Sequence, residues 1–293
     1  MKKNEEAKDR DSAQIRPEEL IYHYTDENGL TGILSSGFLR ATHWRYLNDY
    51  SERQEFIRLL LQRYKGRHEH FDSIPQRSGK PHPAIAIDKN TQRDIVEKLH
   101  SIEAYSVSFS KEEINLKQEL QMIGDRLSQW RGYGQAKQGF SLGFDREKIC
   151  TAAEYLATKV SSINLWQCEY VDDLKQAKIT EILAAPDLFP IDQLHQYAST
   201  FKHFGFHEEQ ERRLILRTCA KCPPANLIEF DAKGRPYINV PAGIKGKGSS
   251  LRRIVVGPGE HNDEWVAKTK ILLAKEKIED VDVVPSKIPY RNW

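Results

Sequence analysis

The chain has 293 residues, with 44 Lys+Arg against 42 Asp+Glu for a formal net charge of +2, and 39% of its residues are hydrophobic. No apolar run approaches the roughly 20 residues that cross a bilayer, and the opening residues mix Lys, Glu, Asp and Arg where a secretory signal would be apolar, so the expectation is a cytoplasmic protein with no membrane partner. Four cysteines are too few for a disulfide scaffold, and balanced charge gives no global field that would gather nucleic acid.

Residues 1–18 are charged and nearly free of large apolar side chains, which predicts a mobile tail. The β-branched and aromatic residues of 20–24 predict a strand, and Thr25 or Asp26 caps a following helix with Leu30, Ile33 and Leu34 on its apolar stripe and Gly37 at its end. Ser51 and Gln54 form a capping box for a second helix carrying Phe56, Leu59, Leu60 and Tyr64. Gly, Pro, His and charge dominate 65–90, which reads as a loop insertion, and a short helix with Ile95, Val96 and Leu99 follows. Alternation in 104–109 predicts a strand with Ser106 and Ser108 on one face, turned toward something polar, and Tyr105, Val107 and Phe109 on the other.

Leu116, Leu120, Ile123, Leu127 and Trp130 recur at helical spacing up to Gly132 and Gly134. In 139–144 large apolar residues alternate with Gly and Ser, which predicts a strand with one nearly bare face suited to close approach by a ligand or another segment. Strand character around 166–171, a helix over 190–202 and a strand over 209–216 come next. The segments 226–230 and 237–240 flank a turn at 231–234 as a hairpin; a strand at 251–256, a helix at 263–274 and a strand at 281–284 close the pattern. Strands and helices are interspersed without regular βαβ alternation, so the fold class is α+β, with a mixed or antiparallel, split β-sheet core and surrounding helices. No nucleotide-binding glycine motif of the P-loop or Rossmann type occurs.

The most informative chemistry lies at Glu209-Gln210-Glu211-Arg212-Arg213, because a strand starting here turns Glu209 and Glu211 to one face. Adjacent carboxylates repel, so such a pair is either solvated and balanced by arginine or used to stabilise a cationic reaction centre. His23 sits near the end of the first strand, where a half-buried, hydrogen-bonded histidine is the plainer reading and a ligand contact the sharper one. Ser106 and Ser108 read most simply as sheet hydroxyls, with no elbow or triad order around them. Cys219 and Cys222 form one C-x-x-C, short of the four ligands of a structural zinc site, so no metal is expected.

Taken in order, Ile21-Tyr22-His23-Tyr24-Thr25, Gly29-Leu30 to Gly37, Leu47-Asn48-Asp49 with Glu52, Ser108-Phe109-Ser110, Trp130 with Tyr133, Gly139 to Phe144, Phe206 to Arg213 and Ser286 to Arg291 resemble a widespread bacterial family of uncharacterised domains. That resemblance implies a single domain over 19–293. More distantly, a strand, a His and a helix with Leu-x-x-Ile-Leu-x-x-Gly are similar to the opening of ADP-ribosyltransferase-like domains, which bind NAD in a cleft of a split β-structure. The resemblance implies that His23 holds the adenosine ribose and the main chain of Tyr24 the nicotinamide amide. It matches Ser106-Val-Ser108 or Ser108-Phe-Ser110 to the central Ser-x-Ser of the arginine-modifying branch. Glu209-Gln-Glu211 takes the place of its late Glu-x-Glu, with Glu211 stabilising the oxocarbenium-like transition state and Glu209 orienting an acceptor.

The expected function is therefore an NAD-dependent ADP-ribosyltransferase-like or NAD-cleaving enzyme, a toxin or anti-phage defence effector, with NAD as substrate and a protein or nucleic-acid acceptor left open. Two rivals stand beside it: a non-enzymatic ligand- or partner-binding module, and a metal-dependent nuclease or phosphohydrolase built on Glu209, Glu211 and Asp49.

Overall fold

A computed structural model of the chain describes residues 20–47, 53, 56–60, 97, 103–111, 124–133, 138–184, 191–218, 226–246 and 248–289. The expected tail, the 65–90 insertion, the helix around 95–99, Asn48, Asp49, Cys219 and Cys222 lie outside those residues. The fold is α+β with mixed strand directions, as the interspersed pattern predicts. It divides into two compact units, one of Met1–Ser35, Lys111–Ile149 and Gly243–Trp293, the other of Ser36–Ser110 and Cys150–Ala242.

In the first unit, β4 (Gly139–Asp145) lies between β1 (Leu20–Asp26) and β9 (Leu251–Val256), antiparallel to both, and β10 (Asp282–Pro285) runs parallel to β9. Helix α1 (Glu27–Ser36) follows β1 directly. Asp26 starts it by accepting a hydrogen bond from the Gly29 amide at 2.8 Å, Leu30, Ile33 and Leu34 are its buried stripe, and Gly37 ends it at φ 79°.

Leu20, Tyr22 and Tyr24 alternate onto one face of β1 and pack with Trp130 and Val255 as a core cluster. The bare face expected on β4 is filled by the chain's own Tyr22: a Cβ added to Gly143 would meet its ring at 2.8 Å, and one added to Gly124 at 2.3 Å. Gly124 also turns the chain at φ 81°. Leu116, Leu120 and Ile123 of the expected helix lie outside the described residues; 124–126 are not helical, and the described helix is α2 (Leu127–Tyr133), with Gly132 inside it rather than at its end. Asp125, in the turn between, ties this unit together. Its carboxylate accepts from Trp130 Nε1 at 2.7 Å, Ser286 Oγ at 2.6 Å and the Lys287 amide at 2.7 Å.

The second unit carries an antiparallel sheet in the order β5 (Ser162–Gln167), β6 (Glu211–Thr218), β3 (Glu103–Ser110), β2 (Phe38–His43), β8 (Pro236–Pro241) and β7 (Ile228–Phe230). The β7–β8 hairpin turns at Asp231, whose side chain accepts from the amides of Lys233 and Arg235. Between β5 and β6 the chain makes two helices, Asp172–Ala184 and Ile191–Thr200. Ile179, Leu194 and Ala198 from them pack with Phe56, Leu59, Leu60 and Phe201, so the apolar spacing read at 56–60 is a helical core face. On the hydroxyl face of β3, Ser106 and Ser110 are buried and Ser108 is half-buried, and Ser110 Oγ donates to the Glu209 carbonyl, so the face turns toward polar groups as expected.

Candidate functional site

The Glu209–Glu211 segment is built by a change of backbone direction. A 3-10 turn over Phe204–Glu209 ends at Gln210, which adopts φ 44° and ψ 45°, and β6 begins at Glu211. Strand alternation from Glu209 would have set both carboxylates on one sheet face. Instead the left-handed residue between them folds the two side chains back onto a third group, Lys202, whose ammonium donates to Glu209 Oε2 at 2.5 Å and to Glu211 Oε2 at 2.6 Å. Lys202 Nζ also lies 5.0 Å from the centre of the Phe206 ring.

Glu211 is only 4% exposed, which corrects the expectation of a solvated strand start. Arg213, two residues on and on the same face, donates from Nε to Oε1 at 2.8 Å and from Nη2 to Oε2 at 3.0 Å. Its Nη1 donates to the Ser199 carbonyl at 2.9 Å. The main chain of Glu211 is held as well, its amide donating to the Tyr170 hydroxyl at 2.8 Å and its carbonyl accepting from the Cys168 amide at 2.9 Å. Burial opposes ionisation of Glu211, but Arg213 and then Lys202 outweigh it and hold the carboxyl at about 2. The Tyr170 hydroxyl is pushed up, first by its own burial.

Two carboxylates and two cations thus form one neutral cluster. Glu211 is ionised near neutral pH and so unsuited to proton transfer there, and Arg213 and Lys202 balance its charge within the cluster. Glu209, with a side chain 25% exposed, is the member that solutes reach.

The serines expected to serve the site lie on the strand paired with it. Antiparallel register sets Ser110 opposite Glu211, Ser108 opposite Arg213 and Ser106 opposite Ile215, which joins two motifs about 100 residues apart in sequence onto adjacent strands. Ser110 Oγ donates to the Glu209 carbonyl at 2.7 Å and fixes the turn that aims the carboxylates.

His23 and Tyr24 belong to the first unit, on β1, paired in register with Leu142 and Ser141. His23 is half-buried. Tyr24 is a core side chain, its hydroxyl accepting from the Arg126 amide at 3.3 Å and its ring meeting Trp130 edge-on at 4.9 Å.

Sequence reasoning missed Lys202, Tyr170 and Asp125. Lys202 follows an amphipathic helix as an ordinary exposed-looking lysine, and nothing local marks it as the partner of two glutamates. Asp125 had a signal, since it stands beside Trp130 and the 286–291 segment was itself singled out.

For the metal-dependent rival, Lys202 Nζ takes the position that a cation shared by Glu209 and Glu211 would take. Among the described residues no group of three or more His, Cys, Asp or Glu gathers as a metal site, and no helix is long and apolar enough to cross a membrane.

The depressed pKa carries a pH prediction. A carboxyl at about 2 when folded, against 4.5 ordinarily, contributes stability that is present in full above about pH 5.5 and lost as pH falls toward 2. The amount is about 3 kcal/mol. Unfolding titrations of wild type and Glu211→Gln from pH 7 to pH 2.5 should therefore show a stability gap that narrows steadily with acid. A gap independent of pH would contradict the ionised, paired state.

A family model described as "Protein of unknown function (DUF2971)" matches residues 129–214, a stretch that includes the whole Glu209–Arg213 cluster. No curated protein matches the chain. Among solved structures the chain is similar to Thermus sp. 2.9 DarT in complex with NAD+, at 12% identity over 93% of this chain and 97% of that one, with a TM-score of 0.31. It is similar also to Thermus sp. 2.9 DarT in complex with carba-NAD+, at 14% identity over 92% and 95% of the two chains, with a TM-score of 0.30.

Proposed function

We propose that this protein binds NAD and cleaves its nicotinamide–ribose bond as an ADP-ribosyltransferase-like enzyme, acting in the bacterial cytoplasm as a toxin or defence effector. The observation that carries the reading is the Glu209–Glu211 cluster itself: a buried carboxylate held ionised at about 2, next to an accessible one, on a strand paired with the Ser106–Ser110 segment. Chemistry of this class needs a fixed negative charge rather than a proton shuttle. As the N-glycosidic bond breaks, nicotinamide leaves with the bonding electron pair and its ring becomes neutral, while positive charge develops on the ribosyl carbon. Preorganised negative charge stabilises that transition state. An acceptor nucleophile or water then bonds to the ribosyl carbon and gives up a proton.

In this reading Glu211 supplies the electrostatic field and Glu209 orients the acceptor. His23 and the main chain of Tyr24 take the cofactor contacts that the sequence resemblance assigns them, and Ser106, Ser108 and Ser110 shape and support the site. One observation favours a binding module instead: both oxygens of Glu211 are already engaged by Arg213 and Lys202.

Incubating the purified full chain with NAD and following free nicotinamide by chromatography separates the two. The enzymatic reading predicts steady nicotinamide release that His23→Ala reduces at least tenfold, about 1.4 kcal/mol of lost binding. Saturable NAD binding without release supports the module. Absence of both binding and release removes NAD from the account.

A further inference from the structure

Beside the carboxylate cluster, and sharing Arg213 with it, the second unit contains a recess lined by Trp44, Arg53, Tyr105, Ser106, Ser199 and Arg213, among others. Arg53 is 5% exposed and Ser106 8%. The Arg53 guanidinium stacks on the Trp44 ring at 4.0 Å and its Nη2 meets His195 Nδ1 at 3.2 Å. Its Nε and Nη1 are buried with no hydrogen-bond partner among the described residues, and the same holds for Ser106 Oγ.

Burying a charged donor without an acceptor is costly, and native structures leave few such groups unsatisfied. Here two neighbouring lining residues carry three unsatisfied polar atoms. The surrounding field is mixed: Glu103 opposes the charge of Arg53 and Arg45 adds to it. The Arg213 guanidinium contributes positive charge from the lining, although its own donors are spent on Glu211 and Ser199. Burial pushes the Arg53 guanidinium down to about 10, so it remains charged near neutral pH.

The recess offers ≈ 20 Å³ of room. One water needs roughly 10–15 Å³ on the same scale.

We infer that this recess is an oxyanion site, in which Arg53 and Ser106 bind the phosphoryl group of a small ligand. A phosphoryl group fits the donors in kind. It offers several acceptor oxygens in different directions, and guanidinium and hydroxyl groups are its ordinary partners. The recess shares Ser106 and Arg213 with the site of the proposed NAD cleavage, but its occupant need not be turned over.

Calorimetric titration of inorganic phosphate into the full-length protein at pH 7.5, with ionic strength held constant by sodium chloride, tests it. Saturable one-to-one binding is expected, abolished in Arg53→Gln and weakened about tenfold in Ser106→Ala, the loss of one charge-assisted hydrogen bond. Ser106→Ala keeps the test open if Arg53→Gln fails to fold. A parallel titration with glycerol 3-phosphate distinguishes the sources: tighter binding than inorganic phosphate assigns a phosphate monoester, weaker binding assigns the free ion. No saturable binding of either, or equal binding by wild type and Ser106→Ala, overturns the inference and leaves the recess to water.

Discussion

Glu211→Gln should lower the unfolding free energy by about 3–5 kcal/mol, because it leaves the buried Arg213 guanidinium facing a neutral amide and Lys202 with Glu209 as its remaining carboxylate. Both oxygens of the native carboxylate are engaged, by three donors at 2.6–3.0 Å, and the residue is 4% exposed. A solvated glutamate at the start of a strand would cost at most about 1 kcal/mol on the same change, so the size of the loss distinguishes the buried cluster from a surface pair. Lys202→Met alone leaves both carboxylates short of a cation, so pairing it with Glu211→Gln should cost less than the sum of the two single losses in a double-mutant cycle. Purely additive losses would show that Lys202 and Glu211 do not act on each other. Denaturant unfolding of the four proteins gives the cycle directly.

Asp125→Ala should cost about 2–3 kcal/mol, since Trp130 Nε1 would lose its acceptor in a buried setting and Ser286 Oγ and the Lys287 amide theirs in a part-buried one. Trp130 packs with Leu20, Tyr22, Tyr24 and Val255, so the loss should be accompanied by loosening of the segment after β10. Hydrogen exchange at the Lys287 amide should accelerate more than at the amides of β8, which belongs to the other unit. Uniform acceleration across both units would mean that Asp125 contributes only to global stability.

The elements legible in the sequence were those that local physics decides. Helix α1 was readable from Asp26, the Leu30–Ile33–Leu34 stripe and Gly37, because a cap, a 3.6-residue period and a positive-φ glycine are properties of adjacent residues. Strands β3, β4 and β9 and the β7–β8 hairpin follow for the same reason. The misreadings have tertiary causes. The expected helical spacing is not followed at 124–126, where Gly124 takes a positive φ and leaves room for the ring of Tyr22, a residue about 100 positions earlier. The partners of β3 were not legible, because β2 and β6 come from distant parts of the chain.

At the site, the Glu-x-Glu signal was visible but its geometry was not. Gln210 carries no glycine-like signature for its left-handed backbone. The ammonium that gathers both carboxylates comes from the end of the preceding helix, and a single lysine advertises nothing. Arg53 was equally silent, since its significance lies in which of its donors remain unsatisfied once the chain has folded.

The central claim is that the fixed charge of Glu211 acts on NAD, and the rate of nicotinamide release at saturating NAD by wild type and by Glu211→Gln with Lys202→Met tests it most directly. The temperature must be one at which circular dichroism shows both proteins folded, so that stability does not enter. A fall of about a hundredfold or more in the variant is the predicted result, because one preorganised electrostatic contact of this kind contributes on that scale. Equal rates in the two folded proteins, or no nicotinamide release by wild type, would contradict it.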